Sequence, residues 1–276
     1  MDWGLHGKVA MVAGASKGLG FAVARALALA GADISMVSRD APSITQAASD
    51  IEQETKARVL ALPVDLRSAA AMLQWRDRTL ERFGRVDILF TNTGGPPTGG
   101  FFDFDDNAWR DAFELLVLSV VRMVRLVVPE MKSQGGGSIA VATSALVKES
   151  STEMILSTVL RASVASLAKA LAIEFARDGI RVNHIIPGRI DMGRIRQLDE
   201  LNASRAGITS SAWRKQISAS IPLGRYGTPD EFAQAVLFLS SNAASYITGA
   251  TLQVDGAKSD AQHDPGEAYR IILCNS

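Results

Sequence analysis

A second cysteine is missing. Cys274 is the only one in 276 residues, so no disulfide can form within one chain, and a reducing, cytoplasmic setting is expected. An excess of charge is missing too. The 29 Lys and Arg balance 29 Asp and Glu, which argues against a nucleic-acid partner, because such a surface needs basic excess to neutralise phosphates. Residues 1–8 hold Asp2 and no apolar run, unlike a signal peptide. The most apolar stretch noted, residues 115–128, is broken by Arg122 and Arg125, whereas a membrane helix needs about 20 uninterrupted apolar residues. No membrane partner is expected. His6, His184 and His263 have no spacing that suggests a metal site, and His184 reads as a packed strand residue. A soluble chain of this length buries roughly 75% of its unfolded surface, so its core needs no staples.

What is present is alternation. Residues 8–13, 33–37, 59–64, 86–91, 138–143, 181–186 and 251–254 read as strands. Residues 19–30, 43–56, 69–83, 105–131, 152–177 and 229–239 read as helices between them. Leu160, Val164, Leu167, Leu171 and Phe175 form one stripe of the fifth helix. Continuous apolar strands separated by helices predict one Rossmann-type, doubly wound parallel sheet of about seven strands with helices on both faces. No linker or repeat divides the chain, so residues 1–276 read as a single domain, with an irregular helical insert on the substrate side at about 192–220.

Between the first strand and first helix runs Gly14-Ala15-Ser16-Lys17-Gly18-Leu19-Gly20. Glycines at these places let the backbone turn tightly and bring a helix N-terminus up to a pyrophosphate, whose charge the N–H groups favour. A Gly-rich run alone is weak, but a strand before and a helix after make it specific.

The spacing, G-x3-G-x-G, resembles that of the short-chain dehydrogenase/reductase family, and the resemblance continues over residues 5–257. Asp65-Leu66 looks like that family's adenine-contacting pair. Thr91-Asn92-Thr93-Gly94 looks like its Asn-Ala-Gly segment. Gly179-Ile180-Arg181-Val182-Asn183, Pro187-Gly188, Tyr246-Ile247-Thr248-Gly249 and Val254-Asp255-Gly256 match its later segments. The resemblance implies a bound nicotinamide dinucleotide and a small carbonyl or alcohol substrate. It also implies a homodimer or homotetramer built on the two long apolar helices. NADP(H) is favoured over NAD(H): the second strand ends in Ser38-Arg39, and Arg39, with Lys17, can meet a 2′-phosphate, while Asp40 stands one residue late for the ribose hydroxyl.

The resemblance also implies where proton chemistry belongs: a Ser, a Tyr, a Lys four residues on, and a supporting Asn. These positions are Ser144, Ser157, Arg161 and Leu116, so only the serine is retained. A serine hydroxyl is a far weaker acid than a phenol and is too short to reach its place. Arg161 can grip ribose hydroxyls but is no proton donor. Ser-x3-Arg with Lys148-Glu149 after the serine resembles a divergent branch of the family, similar outside the site to 3-oxoacyl-carrier-protein reductases. Three readings stay open. Ser144 and Arg161 polarise a carbonyl while a water bridged by Ser157 supplies the proton; or Lys148, Glu149 or Glu153 is the acid; or the site is non-catalytic and the protein binds or senses nucleotide. Met192 stands where the family often has a Thr after Pro-Gly. Arg194 and Arg196 either meet an anionic substrate tail or are solvated. Phe101, Phe102 and Phe104 either wall a substrate pocket or pack elsewhere.

Overall fold

Seven aliphatic runs form one wholly parallel sheet in a computed structural model that describes residues 3–260; Cys274 and His263 lie outside the described residues. The strands are β1 (Val9–Ala13), β2 (Asp33–Ser38), β3 (Val59–Pro63), β4 (Ile88–Thr91), β5 (Gly137–Ala142), β6 (Ile180–Pro187) and β7 (Thr251–Val254). Their spatial order is β3-β2-β1-β4-β5-β6-β7. The order reverses at β1 and β4, so a crevice opens beyond the carboxyl ends of these strands, where doubly wound sheets hold their ligands. On one face, α1 (Gly18–Leu29), α2 (Ala41–Thr55) and α9 (Pro229–Ser240) bury Val23, Leu27, Ile44, Ile51, Phe232 and Val236. The other face is covered by α3 (Ala69–Phe83), α4 (Asp106–Phe113), α5 (Ser119–Ser133) and α6 (Ile155–Phe175).

Helix starts follow from side chains that replace missing backbone acceptors. Asp40 accepts from the Ser43 N–H at 2.9 Å and caps α2, which uses up the acid closest to the NAD position. Ser68 caps α3 and Thr228 with Glu231 forms a capping box on α9.

Two expectations need correction. The single helix expected over 105–131 is α4 and α5 joined by a π turn, Glu114–Leu118. The wider turn keeps Leu116 and Val117 in the core between the two helices. The insert at 192–220 is regular: α7 (Gly193–Arg205) and α8 (Ser210–Ala219), the second capped by Thr209. Both are polar enough to hide a helical stripe. Among the described residues one helical run, Ile155–Asp178, has the length and apolarity to cross a bilayer. Here it is a core helix, with Leu156, Leu160, Val164, Ala168 and Ala172 buried in the second cluster.

Candidate active site

The glycine turn is shaped by close approaches. Gly14 and Gly18 have φ of +62° and +60°, where a side chain is strained. A methyl at Gly20 would overlap the Gly14 carbonyl, so only glycine lets the first turn of α1 sit against the end of β1. Asn92, just past β4, donates from Nδ2 to the same carbonyl at 3.3 Å and ties the two strand tips together. The cradle fits a dinucleotide: no β-carbon fills it, and the N-terminus of α1 opens into it. Ser16 and Gly18 are half-buried, Leu19 is buried, and Lys17 is exposed. Arg39, also exposed, follows the last residue of β2, close enough for its charge to act on Asp65. Asp65 is gripped by Arg67 at 2.6 Å, which, chiefly through this hydrogen bond, holds its carboxyl below the usual range, and Leu66 is buried.

At the centre, Arg161 spans the tips of β4 and β5. Its Nε donates to Ser157 Oγ (3.1 Å), Nη1 to the Thr143 carbonyl (3.3 Å) and Nη2 to the Gly94 carbonyl (3.3 Å). All three acceptors are neutral. Burial pushes its pKa down to about 10. Ser157 is 4% exposed, and its hydroxyl accepts from Arg161. Ser144 sits at the end of β5, half-buried, with Oγ accepting from the Leu146 N–H at 3.3 Å. Behind it, Thr143 Oγ1 and His184 Nε2 are 2.6 Å apart, and His184 Nδ1 is 3.2 Å from Thr251 Oγ1. Burial first, and the charge of Lys148 second, hold the His184 ring neutral, with a pKa of about 4. Leu116 is packed in the core at 2% exposure.

Beyond the centre, Pro187 ends β6, and a methyl at Gly188 would overlap the Asp255 backbone. Asp255 in turn accepts from the Ala257 and Ser259 N–H groups at 3.0 Å. The 246–249 segment is stitched to β6 by Asn183, which donates to the Ile247 carbonyl at 2.9 Å. Other sequence expectations separate. Glu149 pairs with Lys258 at 3.9 Å, and Glu153, 74% exposed, pairs with Arg205 at 3.6 Å. Phe101 and Phe102 stack edge-on and are exposed, so they do not wall an enclosed pocket; Phe104 packs against the core instead. Arg196 is bound to Asp191 at 2.9 Å, whereas Arg194 lies against Gly95. Met192 covers Gly18.

The sequence reading missed a hub in the insert. Asp199 on α7 is fully buried and accepts from Tyr226 Oη (2.9 Å), Arg214 Nη1 (3.1 Å), Trp213 Nε1 (3.3 Å) and Arg189 Nη1 (3.4 Å). It fixes α7 and α8 to the chain beyond Gly188. An acid in a weakly periodic helix, with Trp213 and Arg214 fourteen and fifteen residues on, carries no spacing signal that would reveal this.

Comparison with known proteins agrees with this geometry. The family profile described as Enoyl-(Acyl carrier protein) reductase matches residues 14–257. The peroxisomal 2,4-dienoyl-CoA reductase of Danio rerio is 33% identical over 257 residues, 91% of this chain and 81% of that protein. The L-sorbose reductase of Gluconobacter frateurii, solved with NADPH and L-sorbose, superposes with a TM-score of 0.89 at 31% identity, covering 93% of this chain and 98% of that one. An NADPH-bound short-chain oxidoreductase of Pseudomonas aeruginosa PAO1, described as containing an atypical catalytic center, superposes with a TM-score of 0.84 at 32% identity, covering 94% and 98%. With a family profile across most of its length and relatives above 30% identity along nearly all of it, the chain belongs to the short-chain dehydrogenase/reductase family of oxidoreductases.

Proposed function

We propose that this protein is an NADP(H)-preferring reductase or dehydrogenase that acts on a carbonyl compound or secondary alcohol through an altered centre of Ser144, Ser157 and Arg161. When bound, the dinucleotide supplies or accepts the hydride. Gly14, Ser16, Lys17, Gly18, Leu19 and Gly20 hold its phosphates; Asp65, Leu66, Asn92 and Gly94 line its adenosine and ribose course; Pro187 and Gly188 close the nicotinamide end. Arg39 and Lys17 favour a 2′-phosphate, because Asp40 is committed to capping α2 and no acid ends β2.

Ser144 donates to the substrate oxygen. Arg161 carries fixed charge beside it, stabilises negative charge developing on that oxygen and grips ribose hydroxyls. Ser157 holds a water that delivers the proton, since its own hydroxyl is too weak an acid. The observation that carries this reading is the Arg161 guanidinium bound at once to Ser157, Thr143 and Gly94, at the carboxyl edge of β4 and β5. The buried Ser157 hydroxyl favours a second reading: without a phenol, the fold binds nucleotide and does not turn over. Two further features belong to the main reading. The apolar cleft between α5 and α6, lined by Val124, Val128, Leu167, Leu171 and Phe175, suits a homodimer or homotetramer. One domain over the whole chain, working in the cytoplasm, is consistent with its single cysteine.

Titration with NADPH and NADH, followed by Trp fluorescence, tests the cofactor. NADPH is expected to bind at micromolar levels and more tightly than NADH. Arg39→Ala should weaken NADPH about tenfold, roughly 1.4 kcal/mol, and leave NADH nearly unchanged. No binding of either at millimolar levels would end the oxidoreductase reading. Steady NADPH oxidation with any carbonyl, abolished by Ser144→Ala, would end the non-catalytic one.

A further inference from the structure

Five arginines lie on or beside the insert: Arg189, Arg194, Arg196, Arg205 and Arg214. Four are paired with carboxylates: Arg189 and Arg214 with Asp199, Arg196 with Asp191, and Arg205 with Glu153. Arg194 has no such partner among the described residues. It is not free to roam the surface. It sits in the first turn of α7, with Nη2 3.6 Å and Nε 3.9 Å from where a β-carbon of Gly95 would stand. The residue before Gly95 is Gly94, whose carbonyl accepts from Arg161, a second guanidinium with no carboxylate. Two uncompensated cations therefore flank one peptide unit, on the order of 10 Å or less apart. Exposed Lys148, also without a carboxylate among the described residues, adds a third positive charge near the Ser144 end. In a chain of zero net charge these three unpaired cations, apart from the Lys17 and Arg39 already assigned to the dinucleotide, mark a deficit of anion that a ligand can fill.

The phosphates do not claim Arg194. Their cradle is the Gly14–Gly20 turn, and the α7 residue that covers it is apolar Met192. Two residues on, Arg194 has moved to the Gly95 side, beside the peptide whose carbonyl Arg161 binds. The cleft thus offers Ser144 and Arg161 for a carbonyl oxygen, with a second guanidinium fork on the order of 10 Å from that of Arg161. Such a fork binds a planar carboxylate with two parallel hydrogen bonds.

We propose that the substrate is an oxo acid, or the matching hydroxy acid, whose carboxylate is anchored by Arg194 while its carbonyl meets Ser144 and Arg161. This rests on the reductase reading above. It adds Arg194 as the specificity-determining residue and makes α7, held on the Asp199 hub, the element that places it.

The test uses the full chain and a ladder of straight-chain 2-, 4- and 5-oxo carboxylates, each beside its own methyl ester. Binding is measured by Trp fluorescence with and without saturating NADPH, and turnover by NADPH oxidation. At least one acid is expected to bind tenfold or more tightly than its ester, and Arg194→Gln should erase that preference by raising KM, with kcat changed less than threefold. Arg194→Lys should recover part of it, and NADPH affinity should stay within twofold in both variants. The proposal is overturned if every ester matches its acid, or if Arg194→Gln weakens NADPH itself tenfold, which would assign this arginine to the dinucleotide. If the acids bind preferentially but NADPH does not bind at all, the anion site stands and the reductase reading falls.

Discussion

At one end of the cleft the constraints are chiefly backbone; at the other they are chiefly side chain. The cradle works because Gly14, Gly18 and Gly20 have no β-carbon and because strand tips meet within van der Waals contact. The centre works through what Arg161, Ser144 and Ser157 project. The difference teaches which half of a site can change without loss of fold. A glycine that lies against a carbonyl cannot be exchanged, so the cradle keeps its pattern. A buried side chain can be exchanged for another of tolerable volume and bonding, so a Ser and an Arg can occupy positions where the resemblance implies a Tyr and a Lys. Arg161 shows the terms of that exchange: it satisfies three of its donors on neutral oxygens and remains a cation without a carboxylate.

The comparison breaks most severely at Gly20. Gly20→Ala forces a methyl into the Gly14 carbonyl, and the expected result is a loss of NADPH affinity of more than a hundredfold, read by fluorescence titration. Retained affinity would show that the cradle is as tolerant as the centre. Next comes the centre itself. Arg161→Leu should lower kcat/KM about a hundredfold, close to 2.7 kcal/mol, while circular dichroism stays native. An unchanged kcat/KM would remove Arg161 from the chemistry.

The smallest effect lies beneath the centre. His184 is neutral in the folded protein, with a pKa of about 4 against 6.5 when unfolded. The unfolded chain therefore takes up its proton first as pH falls. Stability from this group is full above about pH 6.5 and is lost as pH falls from there toward 4. Urea unfolding of His184→Gln should show a flatter dependence over that window than the unaltered protein; equal slopes would mean that another group dominates.

The same division explains what the sequence disclosed. Most strands and helices and the glycine turn were legible because period and spacing encode them, whereas Asn92 and the Ser157–Arg161 pair were legible only through the family resemblance. Asp199 was not, since its four donors come from positions 189, 213, 214 and 226, which only the folded insert brings together. Nor was the separation of Arg194 from Arg196, two residues apart on one helix: Arg196 folds back on Asp191, five residues before it, while only a tertiary contact brings Arg194 to Gly95. The outward Phe101 and Phe102 defied the ordinary rule that large apolar side chains turn inward.

The π turn at Glu114–Leu118 absorbs one residue more than an α turn, because its bonds close from i to i+5. The helices on either side therefore keep a common phase. Removing one residue of that turn would restore an even winding and leave Val120, Met123, Val124 and Val127 on the sheet. Removing one from α5 itself would turn everything after it by about 100° and carry those side chains off their face. The connection between α4 and α5 can thus change length in the π turn and nowhere else along it.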